Sequence, residues 1–524
     1  MAPAPASGPG ALAGGPPGDY IYAVAALLSW VSSCYTGPEL VRRAYRNWTF
    51  LLLLILCGCS ASGPTVAPEP DPVLACRALF REVDLAVERA AVRDQGPVRI
   101  AGFPFLRLNR FLASFAGELA TPEQFRAWLA HLAQLDAGAR ALEYRNLGWG
   151  GRAAPAVPGP GELRNCRDLL SAHLLADRER RTQLLRAARV PDDYVTGWRI
   201  AGLYPLTSQF VAMGVRRGQN TSREVFAQAL EALPVRGRLQ RWRSPAARAV
   251  PAFDHALDPL GIPVLTVAQV SELFRQHAPI WEVDVVDDND RIGTAVWRDA
   301  PAVDTAMSTQ YQKLSYTRFG SDILLQLNYV IWFRARPGED IFAGRIDGLV
   351  WRVTLGPDGE PWLYDSIHNC GCYHTFIPTR HLRLRGDLPV LDFEPPLVPQ
   401  GAPAPPVVVR VASGTHYLQR VYTAVEADVS TPDEGPVPWL ERLVAADYDQ
   451  LRSLPAAQQG YRSYFGQHGI VQGSERAERF ILWPMGVRSP GAMRVWGHHA
   501  VAFVGRRHFD DARLIESLFV RTAP

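Results

Sequence analysis

From residue 76 to about residue 245, apolar positions recur every three to four residues, the spacing of amphipathic helices. In "TPEQFRAWLAHLAQLDAGARALEY" (residues 121–144), Phe125, Trp128, Leu129, Leu132 and Leu135 share one helical face. Thr121 stands at the N-cap position, Pro122 at the first helical position and Gln124 where a capping box needs its glutamine. "NCRDLLSAHLLADRERRTQLLRAARV" (165–190) and "TSREVFAQALEAL" (221–233) repeat the pattern, the second with Thr221 and Glu224 as a capping box. "AAPAVPGPG" (153–161) and "VPDDYVTGWRIAGLYPLT" (190–207) read as loops, and residues 262–280 as a short helix capped by Thr266 and Gln269.

Further on, the pattern changes. "ILLQLNYVIWFRA" (323–335), "GRIDGLVWRVTL" (344–355) and "PWLYDSIH" (361–368) are rich in β-branched and aromatic residues. The "GPDGE" between the last two is a tight-turn sequence, so they should form an antiparallel hairpin ending near His368. With the first strand they predict an antiparallel meander, and with the helices an α+β chain. "PWLERLVAADYDQLRSL" (438–454) reads as a helix.

The expected organisation has seven parts. Residues 1–40 are a mis-called start or an extension, 41–58 a signal peptide and 59–75 a tether. A helical domain (76–250) and a β-rich domain (262–385) follow, then a Pro-rich linker (386–409) and a mixed C-terminal region (410–524).

The signal peptide rests on specific residues. Arg42, Arg43 and Arg46 precede the apolar run of residues 48–56, too short to span a bilayer, and small residues and cysteines follow. "LCGC" (56–59) resembles the lipobox of bacterial lipoproteins. That resemblance implies cleavage before Cys59, acylation of its sulfur and amino group, and a membrane held through the lipid. Ser60 in the next position implies the outer membrane, facing the periplasm. The residues ahead of the signal fit an upstream start codon, with Leu40 or Val41 as the alternative start. After Cys59, "SASGPTVAPEPDP" has the composition of a tether.

Processing would leave Cys76, Cys166, Cys370 and Cys372, an even set in an oxidising compartment. Three pairings exist, of which Cys76–Cys166 with Cys370–Cys372 is the most economical.

Composition then removes several chemistries. The net charge of +3 over 524 residues, with no long basic run, gives no reason to expect a nucleic-acid partner. Of 55 basic residues only Lys313 is lysine, so a phosphate-binding G-x-x-x-x-G-K-[ST] loop is absent and a Schiff base has one candidate. H-E-x-x-H, G-x-S-x-G and C-x-x-C are absent as well.

Candidate chemistry concentrates in "LYDSIHNCGCYHTF" (363–376). Asp365, His368 and Cys370 or Cys372 are the inventory of an activated thiol, in which carboxylate orients imidazole and imidazole deprotonates sulfur. On a strand, however, Asp365 and His368 have opposite parity and face opposite sides. His368, Cys370, Cys372 and His374 could hold zinc only if Gly371 folds the segment back sharply, because an extended chain sets the histidines about 20 Å apart. A local disulfide or inert thiols is the third possibility. Asn328 and Asp347, polar residues in hydrophobic strands, are expected in the walls of a pocket beside the motif, with His374. "EVDVVDDND" (282–290) reads as an exposed acidic turn. The two functional classes these residues support are a binding or assembly protein of the envelope, with an envelope protein or peptidoglycan as partner, and a thiol- or metal-dependent envelope enzyme.

Overall fold

The computed structural model describes residues 71–148, 157–245, 253–389, 393–424, 440–457 and 460–522. The expected signal peptide, Cys59 and most of the tether lie outside the described residues. The predicted meander is the centre of the protein. Strands β1 (Thr309–Phe319), β2 (Asp322–Arg336), β3 (Gly344–Leu355), β4 (Pro361–His368) and β5 (Thr375–Pro378) run antiparallel in chain order. A sixth, β6 (Val444–Asp447), pairs parallel with residues 309–312 of β1. The chain is therefore α+β, with helices and strands both well represented.

Alternation along these strands divides the buried residues into two cores. Leu327, Tyr329, Ile331, Leu349, Trp351 and Val353 fill one face, packed against a second, five-stranded sheet. That sheet is built on Ile280–Val285, which pairs antiparallel with Arg238–Arg243 and parallel with Val407–Val411. Val330, Trp332, Val350 and Ile367 fill the other face, against residues of the C-terminal tail such as Met493, Val495 and Phe509.

The helical part forms a third core around Phe80, Phe105, Trp128 and Leu132. Its helices are α1 (Asp71–Arg89), α2 (Pro122–Asn146), α3 (Pro160–Ala176), α4 (Arg178–Ala187), α5 (Thr196–Ala201) and α6 (Tyr204–Ala227). Thr121 caps α2 and makes the capping box with Gln124. Thr266 and Gln269 do the same for α7 (Val267–Gln276). Cys76 on α1 is joined to Cys166 on α3, with Cα atoms 5.1 Å apart. Asp71–Pro524 forms a compact unit. It contains all three cores and the disulfide, as a unit able to fold alone must.

Three predicted elements differ. Residues 190–207, read as a loop, contain α5 and the first turn of α6. Thr221 begins no helix, because α6 starts at Tyr204 and runs through it; Pro205, placed in the first turn, sets the true start. The residues described within 438–454 are not helical. Leu440–Arg442 extends the five-stranded sheet, Val444–Asp447 pairs with β1, and a 3-10 turn follows at Tyr448–Arg452. Two vacant strand edges, both supplied by distant residues, override the local helical spacing.

Because Cys76 and Cys166 are 90 residues apart, their bond removes much of the unfolded chain's freedom. Non-reducing peptide mapping should recover them in one cross-linked pair. Cys166→Ser should lower stability by about 2–5 kcal/mol in denaturant titration.

Candidate functional site

Strand β4 ends at His368, and the next residues form a tight turn. Gly371 has φ +95°, and a Cβ there would stand 2.7 Å from the Ala500 carbonyl oxygen, so the backbone conformation and the close approach both demand glycine. The His368 amide donates to the Cys372 carbonyl (3.0 Å) and the Gly371 amide to the His368 carbonyl (2.7 Å). The segment does fold back, and it delivers its two histidines to opposite faces of the sheet.

On the face toward the tail, Asp365 accepts two hydrogen bonds from Arg352, at 2.9 and 2.5 Å, and meets His374 Nε2 at 2.8 Å. Arg352 also donates to the Phe509 carbonyl (2.6 Å) and lies over the Phe509 ring. Burial works to raise the Asp365 carboxyl, but the neighbouring guanidinium and imidazole outweigh it and hold the group below its ordinary value. Burial pushes His374 down to about 4 despite its carboxylate partner, so it is neutral at physiological pH.

On the opposite face, His368 Nδ1 stands 3.6 Å from Asp347, beyond hydrogen-bond range. Asp347 bonds His416 Nδ1 at 2.8 Å, and His416 Nε2 lies 3.4 Å from Asp290. Burial would raise the Asp347 carboxyl, but the two imidazoles hold it well below the usual range. His416, stacked on Phe333 with ring centroids 3.9 Å apart, is pushed up because its two carboxylates outweigh its burial. Ile346 (φ 57°), Tyr373 (φ 58°) and His416 (φ 54°) all take left-handed backbone around this network, a strain of about 1–3 kcal/mol each. His368 Nε2 has no partner among the described residues.

These positions correct several expectations. Asp365 and His368 do not form one unit: Asp365 serves Arg352 and His374, while His368 faces Asp347. Asn328 and Asp347 cannot line one pocket, since Asn328 points to the tail-side face, where it donates to the Lys313 carbonyl at 2.8 Å. Asp290 is buried, not part of an exposed turn, and accepts from the Val286 and Gly414 amides. Cys370 and Cys372 are free, the Cys372 amide lying 3.4 Å from Cys370 Sγ. A side-chain hydrogen bond with Cys370, then burial, pushes the Cys372 thiol well above its ordinary value. Among the described residues no imidazole or carboxylate is hydrogen-bonded to either sulfur. Nor, among them, is any group of three or more His, Cys, Asp or Glu side chains placed to hold a metal ion. His368 and His374 are turned apart, so the four residues considered for zinc do not converge.

What the motif does hold is the tail. The Arg494 amide donates to the Asn369 carbonyl (2.8 Å) and its Nε to the Cys370 carbonyl (3.2 Å). The tail so anchored forms one wall of a cleft of about 710 Å³ with Trp496, Gly497 and Asp510, well within the size of ligand sites. Helix α2 forms the facing wall with His131 and Gly138. The cleft also reaches residues 313–316 of β1, which lie beyond the stretch paired with β6 and leave an outer strand edge unpaired among the described residues.

Lys313 lies in this cleft, its ammonium 3.0 Å from Asp449 and 5.5 Å from the Tyr448 ring centre. The cleft's arginines are also paired: Arg110 meets Asp193 at 2.8 Å, and Arg452 meets Asp94 and Asp449. His131 Nε2 lies 2.7 Å from Asp258. Asp510 Oδ1 is buried with no partner among the described residues. Sequence reasoning missed this site because its walls come from residues hundreds of positions apart. The one available signal was Lys313 itself, the single lysine kept in a chain that otherwise uses arginine.

Removing one member of a buried ion pair leaves the other charge uncompensated. Asp365→Asn should therefore lower stability by about 3–5 kcal/mol in urea unfolding, with the loss reduced when Arg352→Met is added.

No family model matches the chain, and neither a curated protein nor a solved structure is similar to it.

Proposed function

We propose that the chain is a lipid-anchored envelope protein, held at the outer membrane through Cys59 and facing the periplasm. Its role is to bind an extended, peptide-like ligand in the cleft between α2, β1 and the tail. The observation that carries this reading is the cleft's composition: a strand edge at residues 313–316, unpaired among the described residues, beside opposite charges already set in pairs. A free strand edge offers backbone donors and acceptors to an added extended segment. Paired charges disfavour a polyanion, because each added phosphate would have to compete with a carboxylate already in place. They suit a ligand carrying both ammonium and carboxylate groups, which can exchange partners with each pair. The stem peptides of peptidoglycan and extended segments of envelope proteins have that chemistry. The thiol-enzyme reading has less support, because Cys372 is pushed away from the reactive thiolate.

Gly138 supplies the test. It sits inside α2 on the cleft wall, and a Cβ built there meets no atom within 4 Å. Gly138→Phe should fill the cleft while improving helix propensity. Soluble peptidoglycan fragments bearing stem peptides should bind the wild-type protein in calorimetry, and Gly138→Phe should weaken that binding at least ~10-fold. Absence of wild-type binding, or equal binding by the variant, would contradict the proposal.

A further inference from the structure

Helix α6 is built inside out. Its buried positions include the polar Ser208 and Gln219, and Gln219 donates to the Pro395 carbonyl at 2.8 Å. Its exposed positions include Leu206 (65 % exposed), Phe210 (45 %) and Met213 (44 %). At four and three residues apart, these fall along one helical stripe. The stripe continues into the preceding turn through Leu203 (60 %) and Ile200 (72 %). Single exposed apolar residues are ordinary on a protein surface, but a contiguous stripe of large ones marks an interaction face.

The charge beside the stripe identifies the occupant. Residues 196–227 carry four arginines and one acid, Glu224, and Arg216, Arg217 and Arg223 are exposed on the same helix. Large apolar side chains beside arginines on an otherwise weakly charged helix are the pattern of a helix lying in a membrane interface. Anionic headgroups attract the arginines, and the apolar stripe enters the acyl boundary. The expected lipid anchor would bring a bilayer within reach. From Cys59 to Asp71 there are twelve peptide steps, which reach at most about 40 Å. An anchor at Cys59 would therefore keep the compact unit close to a bilayer.

We infer that the α5–α6 stripe docks on an anionic phospholipid surface as a second membrane contact, in addition to the lipid anchor.

The compact unit Asp71–Pro524 without the anchor isolates this contact from the Cys59 reading. It should co-sediment with vesicles of mixed phosphatidylglycerol and phosphatidylcholine, and more weakly with phosphatidylcholine alone. The Leu206→Glu/Phe210→Glu variant changes only exposed positions and should keep the wild-type circular dichroism and melting temperature. Its vesicle binding should fall at least ~10-fold. Arg216→Gln should reduce binding to the mixed vesicles alone. Failure of the wild-type unit to bind vesicles would overturn the inference, as would unchanged binding by the double variant. A wild-type dimer that the double variant dissolves, without vesicle binding, would also overturn it, assigning the stripe to a second copy of the chain.

Discussion

A guanidinium and a carboxylate buried on neighbouring strands cannot be left half-paired, and Arg352 and Asp365 impose that condition on everything around them. They face each other across β3 and β4 with neither side chain open to water. The Coulomb gain of such a pair is largely offset by desolvation, so its value is positional. Asp365 needs a further donor, which brings in His374, and Arg352 has a spare N–H, which takes the Phe509 carbonyl. Satisfying the pair therefore draws the Cys-Gly-Cys turn back over the sheet end and brings the tail down upon it. Gly371 permits the approach, and the Arg494 contacts to Asn369 and Cys370 close it.

The cleft follows from this anchoring. Trp496 and Asp510 lie on either side of the tail's attachment, so the wall they form is only as well placed as the tail. The opposite wall is held by charge as well. Arg452, from the turn after β6, reaches Asp94 after α1. Arg107 and Arg140 then connect Asp136 and Glu143 within the helical layer. Lys313 sits where these two halves meet. The lysine presents a compact point charge to Asp449, where Arg452 presents a guanidinium to the same carboxylate.

Local signals in the sequence carried much of this architecture. The capping boxes at Thr121 and Thr266 and the hairpin ending at His368 depend on neighbouring residues, while the pairing of Cys76 with Cys166 followed from counting cysteines. The opposite orientation of Asp365 and His368 was legible from strand parity. Residues 440–447 were not, because two distant strands made them strands against their own helical spacing. The partners of the motif were equally hidden. His416 reaches Asp347 from 69 positions away and also lies beside Asp290, and no periodicity reports such a meeting. The stripe on α6 went unread because its first residues, Ile200, Leu203 and Leu206, lie in a stretch whose glycines and prolines read as a loop.

The central claim is that the His368–His374 segment is an architectural anchor whose thiols do no chemistry. Alkylation of Cys370 and Cys372 by iodoacetamide at neutral pH, followed by mass spectrometry in folded and unfolded protein, tests it most directly. Both thiols should react far more slowly in the folded protein than in urea, since Cys370 is buried and the Cys372 thiol is pushed up. A thiol that reacts faster in the folded protein than in the unfolded chain would contradict the account and restore the segment as a catalytic site.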